Sequence, residues 1–144
     1  QHFSNHYCLN RIMLEPPVDR VRISQSAKDQ LIKLKRITKI DQWNILCRWA
    51  LCRSLAEPTP PSPVAIPTDS NVEMTWQVFG GAIGDLLIVA LKQRCHTDNL
   101  NLDSETLAIQ FRLHLHRGIG YLSADPTIRG IESMIQTAML PGHW

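Results

Sequence analysis

Seven cations near the start of the chain could act together: Arg20, Arg22, Lys28, Lys33, Lys35, Arg36 and Lys39. Ammonium and guanidinium groups at this density suit phosphate. On a helical wheel Lys28, Lys35 and Lys39 fall within about 40° of one another, with no acid among them. Most charged helix faces are merely solvated. An unneutralised cluster differs, because each phosphate it binds releases counterions, giving steep salt dependence without any base being read. The formal net charge of +2 hides this cluster. Residues 1–56 carry ten Lys and Arg against four Asp and Glu, and residues 57–144 carry five against nine. A basic amino-terminal half beside an acidic remainder points to a polyanion, of which nucleic acid is the commonest.

Other chemistries find little support. Phe79-Gly80-Gly81-Ala82-Ile83-Gly84 has a nucleotide-loop look, but no Lys-Ser/Thr pair follows at the required spacing and no buried strand precedes it. A helix break with close backbone approach is the expectation there. Cys95-His96 and His114-Leu115-His116 suggest zinc, yet on a helix His114 and His116 point about 200° apart and cannot meet one metal. No metal or cofactor is expected. His116 and Arg117 are expected near a helix end, complementing its dipole or touching an anion. The acids are scattered and no nucleophile elbow occurs, so no active site is expected. Cys8, Cys47, Cys52 and Cys95 form no C-x-x-C pair, which reads as reduced, buried thiols of a cytoplasmic protein.

These cations need elements to position them. Arg20–Ser24 alternates polar and apolar residues, the period of a short strand. Ser26 with Asp29 is a capping-box variant and predicts a helix start. Along that helix Ala27, Leu31, Leu34 and Ile37 occupy one arc, and the cations occupy the other with Ile32 among them. Asp41 can cap a second helix running to about Glu57, where Pro58 ends it. Trp43, Leu46, Trp49, Leu55 and other apolar residues cover nearly its whole circumference. A small monomer cannot bury such a helix on every side, so these four are expected to build the core or a subunit interface.

Pro58, Pro60, Pro61, Pro63 and Pro67 then make an extended connector over residues 58–67 that divides the chain. Ser70-Asn71-Val72-Glu73 reads as a second capping box opening a helix through Phe79. Further helices are expected from Leu86 to about His96, with Asp85 as cap, and from Asp103 or Ser104 to Gly118 or Gly120. A weak last helix is expected over Ile128–Met139. The fold class is mainly α: a compact, oligomeric multi-helix domain over residues 18–140, with at most one strand. The hydrophobic share of 44% excludes pervasive disorder, and the longest apolar run, Leu86–Leu91, is too short to span a membrane. Residues 1–17, closed by Pro16-Pro17, are expected to be a poorly ordered lead-in; Gln1 is not a natural start, and Met13 would serve as one.

Strand, basic amphipathic helix and apolar helix form the order of a ribbon–helix–helix unit, in which two chains pair their strands in the major groove. In that arrangement Val21 and Ile23 face the core while Arg20, Arg22 and Ser24 face DNA. A plain helical hairpin with an extended lead-in explains the same pattern.

Several longer segments resemble one family. Residues 41–57 (DQWNILCRWALCRSLAE), 69–76 (DSNVEMTW), 79–81 (FGG), 91–96 (LKQRCH) and 111–121 (FRLHLHRGIGY) occur in the order seen in DndE, the small subunit of the bacterial DNA phosphorothioation machinery. The resemblance spans roughly residues 20–122. It implies a helical, cytoplasmic homotetramer that binds double-stranded DNA, nicked duplex preferred, and works with the other Dnd proteins as a non-catalytic subunit. DNA contacts in that family fall on basic surface residues, which here match Lys28, Lys33, Lys35, Arg36 and Lys39, with Arg20 and Arg22 flanking. Two rivals stand beside this reading: a ribbon–helix–helix repressor with operator preference, and a protein scaffold without DNA affinity.

Overall fold

The computed structural model describes residues 14–139. In chain order the elements are strand β1 (Arg20–Arg22), helices α1 (Gln25–Thr38) and α2 (Trp43–Ala56), strand β2 (Glu73–Thr75), helix α3 (Trp76–Gly80), a 3-10 turn (Gly81–Ile83), and helices α4 (Gly84–Thr97), α5 (Ser104–Ala124) and α6 (Ile131–Met139). The protein is mainly helical, as its periodicity predicts. Among the described residues no helix is long and apolar enough to cross a membrane.

The apolar arc of α1 does what its spacing requires: Ala27, Leu31 and Leu34 are buried and Ile37 is partly so. The helix nevertheless begins earlier than Ser26 predicts. Ser24 is the N-cap, its Oγ accepting from the Ala27 N–H at 3.0 Å, while Asp29 accepts from the Gln25 side chain. The helix α2 is capped one residue later than expected, by Gln42 rather than Asp41, and Gln42 makes no side-chain cap bond.

The centre of the molecule is the packing of α2 on α5. Leu46, Cys47, Ala50 and Leu51 meet a face of α5 built from Phe111, Leu115, Ile119 and Leu122. Gly118 is what lets the backbones approach. A Cβ built there would lie 1.7 Å from the Ala50 carbonyl oxygen. The expected stop at Gly118 or Gly120 is therefore incorrect: the helix runs on to Ala124, and Gly118 serves contact rather than termination. The two halves of the chain thus share one core across the connector.

A second correction concerns Ser70–Glu73. No helix opens there; Glu73–Thr75 is a strand, paired antiparallel to β1 with Arg20 opposite Thr75, Val21 opposite Met74 and Arg22 opposite Glu73. Thr75 is the actual N-cap of α3, accepting from the Val78 N–H. The described residues therefore contain two strands, and β1 pairs with β2 of its own chain. Val21 and Ile23 face the core as expected, whereas Ser24 is buried as the α1 cap.

The Gly-rich segment proves to be the bed of an aromatic cluster. Trp76, Phe79 and Phe111 meet with ring centroids 5.1 to 5.5 Å apart, mostly edge-on. A Cβ at Gly84 would stand 3.3 Å from the Trp76 indole nitrogen, and Gly81 turns the chain at φ +54°.

Two arginines fasten the connector. The buried Arg94 guanidinium donates to the carbonyls of Leu55, Glu57 and Pro58 while its Nε pairs with Asp98 at 2.9 Å. Arg117 donates to the Ser54 carbonyl, the Ser54 hydroxyl and the Thr59 carbonyl. Downstream, Val64 and Ile66 lie beside Ile109 and Leu113 of α5. Ser70 then donates to the Ile23 carbonyl, and Asp69 accepts from the Gln25 N–H. Of the lead-in expected over 1–17, residues 1–13 lie outside the described residues, as do Cys8 and Met13; Leu14 rests against the core and Pro17 is buried.

Candidate nucleic-acid interface

The helix α1 carries the predicted cations, and the fold divides them. Lys28 points toward the segment that leads into β2, and Lys35 toward the start of α2. Lys28 Nζ donates to Asn71 Oδ1 at 2.6 Å, and Lys35 Nζ sits 3.6 Å from the centroid of the Trp43 ring. Lys33 leans the other way, donating to the Ser123 carbonyl at the end of α5 at 2.8 Å. Arg36 is exposed. Lys39 lies just beyond the helix in the left-handed region (φ 64°), its N–H bonded to the Lys35 carbonyl. This is a C-terminal position usually given to glycine. Among the described residues, none of these five cations forms an ion pair.

Arg20 and Arg22 are placed differently. Both donate to the Glu73 carboxylate, Arg22 at 3.0 Å. Those two hydrogen bonds, Arg20 first, hold the Glu73 carboxyl below its ordinary value. Two guanidiniums on one carboxylate leave a single net positive charge on the ribbon. The flanking pair is therefore committed to the β1–β2 pairing as well as exposed.

Between α1, the beginning of α2 and β2 lies an open groove of about 550 Å³. Lys28 and Lys35 form one wall; Gln42, Trp43 and Asn44 form the second; Asn71, Val72 and Met74 form the third. Asp41 and Glu73 also border it. The first-turn N–H groups of α2 receive no side-chain cap from Gln42, and the partial positive charge of that helix end lies at the same wall.

The apolar residues expected at the core or an interface separate into both. Leu46 is fully buried, whereas Trp43, Trp49 and Leu55 are partly buried against the core. On the outer side of α2, Ile45, Trp49, Cys52 and Arg48 join Ile83 in a shallow, mainly apolar depression of about 460 Å³. Cys52 is exposed there, which corrects the expectation of uniformly buried thiols; Cys47 and Cys95 are buried. Burial pushes the Cys47 thiol up to about 12, leaving it inert.

The two histidines of α5 face different neighbours, and His116, with Arg117, lies inside the helix rather than near the end expected of it, because α5 runs on to Ala124. His114 is buried with its Nδ1 2.8 Å from Ser54 Oγ, and burial together with Arg117 lowers it to about 4. His116 Nε2 accepts from the Ser24 N–H at 3.1 Å while its Nδ1 faces the Arg112 carbonyl, an arrangement that requires the neutral ring. Burial accordingly lowers His116 as well. Among the described residues no group of three or more His, Cys, Asp or Glu could hold a metal.

The groove itself is invisible to periodicity, because Lys28 and Asn71 stand 43 residues apart. One signal was available: Glu73-Met74-Thr75 alternates, and read as a strand it would have offered Glu73 to the arginines of β1.

Comparison with known proteins places this architecture. Solved structures share it, two of them described as DndE. One is DndE from Escherichia coli B7A, described as involved in DNA phosphorothioation modification. It is 26% identical with a TM-score of 0.62, and the match covers 73% of this chain and 96% of that one. The other is a DndE mutant with lysines replacing two glycines, 24% identical with a TM-score of 0.59, covering 75% and 99%; it bears on the fold alone. No curated protein matches significantly. The sequence profile described as DNA sulphur modification protein DndE matches residues 20–130, which hold the ribbon, the cationic helix, all three walls of the groove and the α2–α5 core. The chain belongs to the DndE family.

Proposed function

We propose that the protein is a non-catalytic, DNA-binding subunit of the phosphorothioation machinery, working in the cytoplasm beside the other Dnd proteins. It binds double-stranded DNA, preferring nicked duplex, and the α1 cations hold the phosphates. The observation that carries this reading is the company those cations keep. Lys28 meets an amide, Lys33 a carbonyl and Lys35 an indole face, so their charge remains available to an incoming anion. The relative from Escherichia coli, involved in phosphorothioation, supplies the setting. A homotetramer is the accompanying proposal, supported by the apolar depression on α2, which a second subunit would cover.

The test is a salt series of binding to one duplex, intact and singly nicked, with an unrelated sequence as control. Sequence-blind binding is expected, with a log–log salt slope that falls by about 0.9 for each lysine changed to alanine among Lys28, Lys35 and Lys39. An unchanged slope in the triple variant would move the site elsewhere. Absence of binding at low salt would make the protein a scaffold.

A further inference from the structure

The groove between α1, the start of α2 and β2 combines features that a plain duplex-binding face does not need. A continuous phosphate backbone is convex and is held by an outward-facing row of cations. This groove is concave. Its lining combines two lysines with the apolar side chains of Val72, Met74 and Val78 and the amide groups of Gln42, Asn44 and Asn71. Cations, apolar side chains and amides in one concave site are what a single nucleotide requires: charge for its phosphate, apolar surface for its base, and donors and acceptors for its edge. The volume of about 550 Å³ lies within the range of small-ligand sites.

We propose that this groove is a subsite for a strand end, taking one nucleotide with its terminal phosphate between Lys28, Lys35 and the first turn of α2. The proposal rests on the duplex-binding reading above and gives a physical basis for nick preference. A terminal phosphomonoester carries close to two negative charges at neutral pH, against one for a phosphodiester within the strand. A terminal nucleotide can also leave the stack at lower cost than an internal one. Lys28 exchanges a neutral amide for the phosphate, and Lys35 exchanges the Trp43 face for it. The acids at the rim set the strength. Glu73 is already answered by two arginines, so Asp41 is the carboxylate that opposes the ligand.

The experiment compares three forms of one duplex: intact, nicked with a 5′-phosphate, and nicked with a 5′-hydroxyl. Binding is measured at fixed low salt with the full-length protein. The 5′-phosphate nick is expected to bind roughly five- to tenfold more tightly than the 5′-hydroxyl nick. That ratio should fall to near one in the Lys28→Gln/Lys35→Gln variant and rise in Asp41→Asn. Lys33→Gln, on the far side of α1, should weaken all three forms while leaving the ratio intact. Equal binding of the two nicks, with binding to intact duplex preserved, overturns the subsite and spares the duplex reading. Loss of binding to all three forms in the wild-type protein overturns both.

Discussion

Replacing Gly118 by alanine should destabilise the protein strongly, although alanine is the better helix former. A Cβ at this position would stand 1.7 Å from the Ala50 carbonyl oxygen and 2.4 Å from its carbonyl carbon. A relaxed carbon–oxygen contact needs about 3.3 Å, so α2 and α5 must part by roughly 1.5 Å. The obstacle is backbone on a buried helix and cannot swing aside. Parting the helices loosens the contacts of Leu46, Leu51, Leu115 and Leu122, all fully buried. A gap of even 0.5–1 Å forfeits about a quarter to a half of each dispersion contact. Overpacking of this kind costs about 1–3 kcal/mol and occasionally more, against a propensity gain of about 1 kcal/mol from alanine. The severity of this clash puts the net near 2–3 kcal/mol, about 1–2 M in urea midpoint. Gly120→Ala is the internal control, because a Cβ there meets nothing within 4 Å. It should stabilise by about 0.5–1 kcal/mol. Urea unfolding of both variants at one protein concentration decides the matter. A Gly118→Ala midpoint at or above that of the wild type would refute the close-approach argument.

Other consequences follow from named contacts. Arg94→Met should cost about 3–5 kcal/mol, because it leaves buried Asp98 and three carbonyls without their donor. Arg94→Lys should recover only part of this, since an ammonium lacks the guanidinium fork; limited proteolysis should show both variants cut faster within residues 58–67. Lys39→Gly should raise stability by about 0.5–1 kcal/mol by relieving a left-handed residue, while lowering the salt slope of DNA binding by about 0.9. A variant no more stable than the wild type in thermal melts would count against the strain. His114 is held at about 4 in the fold against 6.5 when free, so the unfolded chain takes up its proton first as the pH falls. Its contribution is complete above about 6.5 and is lost as the pH drops toward 4, at up to about 1.4 kcal/mol per pH unit. His116, lowered in the same direction, adds to that loss. His114→Leu should flatten the curve of urea midpoint against pH in that window, and parallel curves would reject the assignment.

The sequence was legible where one helix face decided the structure. The inward arc of α1, Ala27–Leu31–Leu34, could be read directly, because burial of every third or fourth residue is a local property. Local patterns failed where a distant partner competed. Ser70–Glu73 has the form of a capping box, but Glu73 is claimed by two arginines of β1, and a strand results. Ser26 was outbid by Ser24, whose hydroxyl reaches Ala27 and whose own N–H is held by His116 from α5. Gly118 looked like a helix stop because its reason, the backbone of Ala50, lies on another element. For the candidate interface, residue types announced the cations. Their division into a groove pair, an outward group and a ribbon pair depended on contacts with α5, α2 and β2 that no local spacing encodes.

The pairing of β1 with β2 also bears on when the protein becomes itself. A ribosome delivers the cationic helix early, but Glu73 must follow 53 residues after Arg20 before the ribbon can close, and α2 waits longer still for α5. Contacts between distant parts of a chain form slowly, because the intervening loop must be closed before anything is gained. The nascent amino-terminal half is thus a basic, sticky segment with neither ribbon nor groove. Its positive charge precedes its shape, and only once β2 and α5 have been made does that general attraction for polyanions become a surface with a defined form.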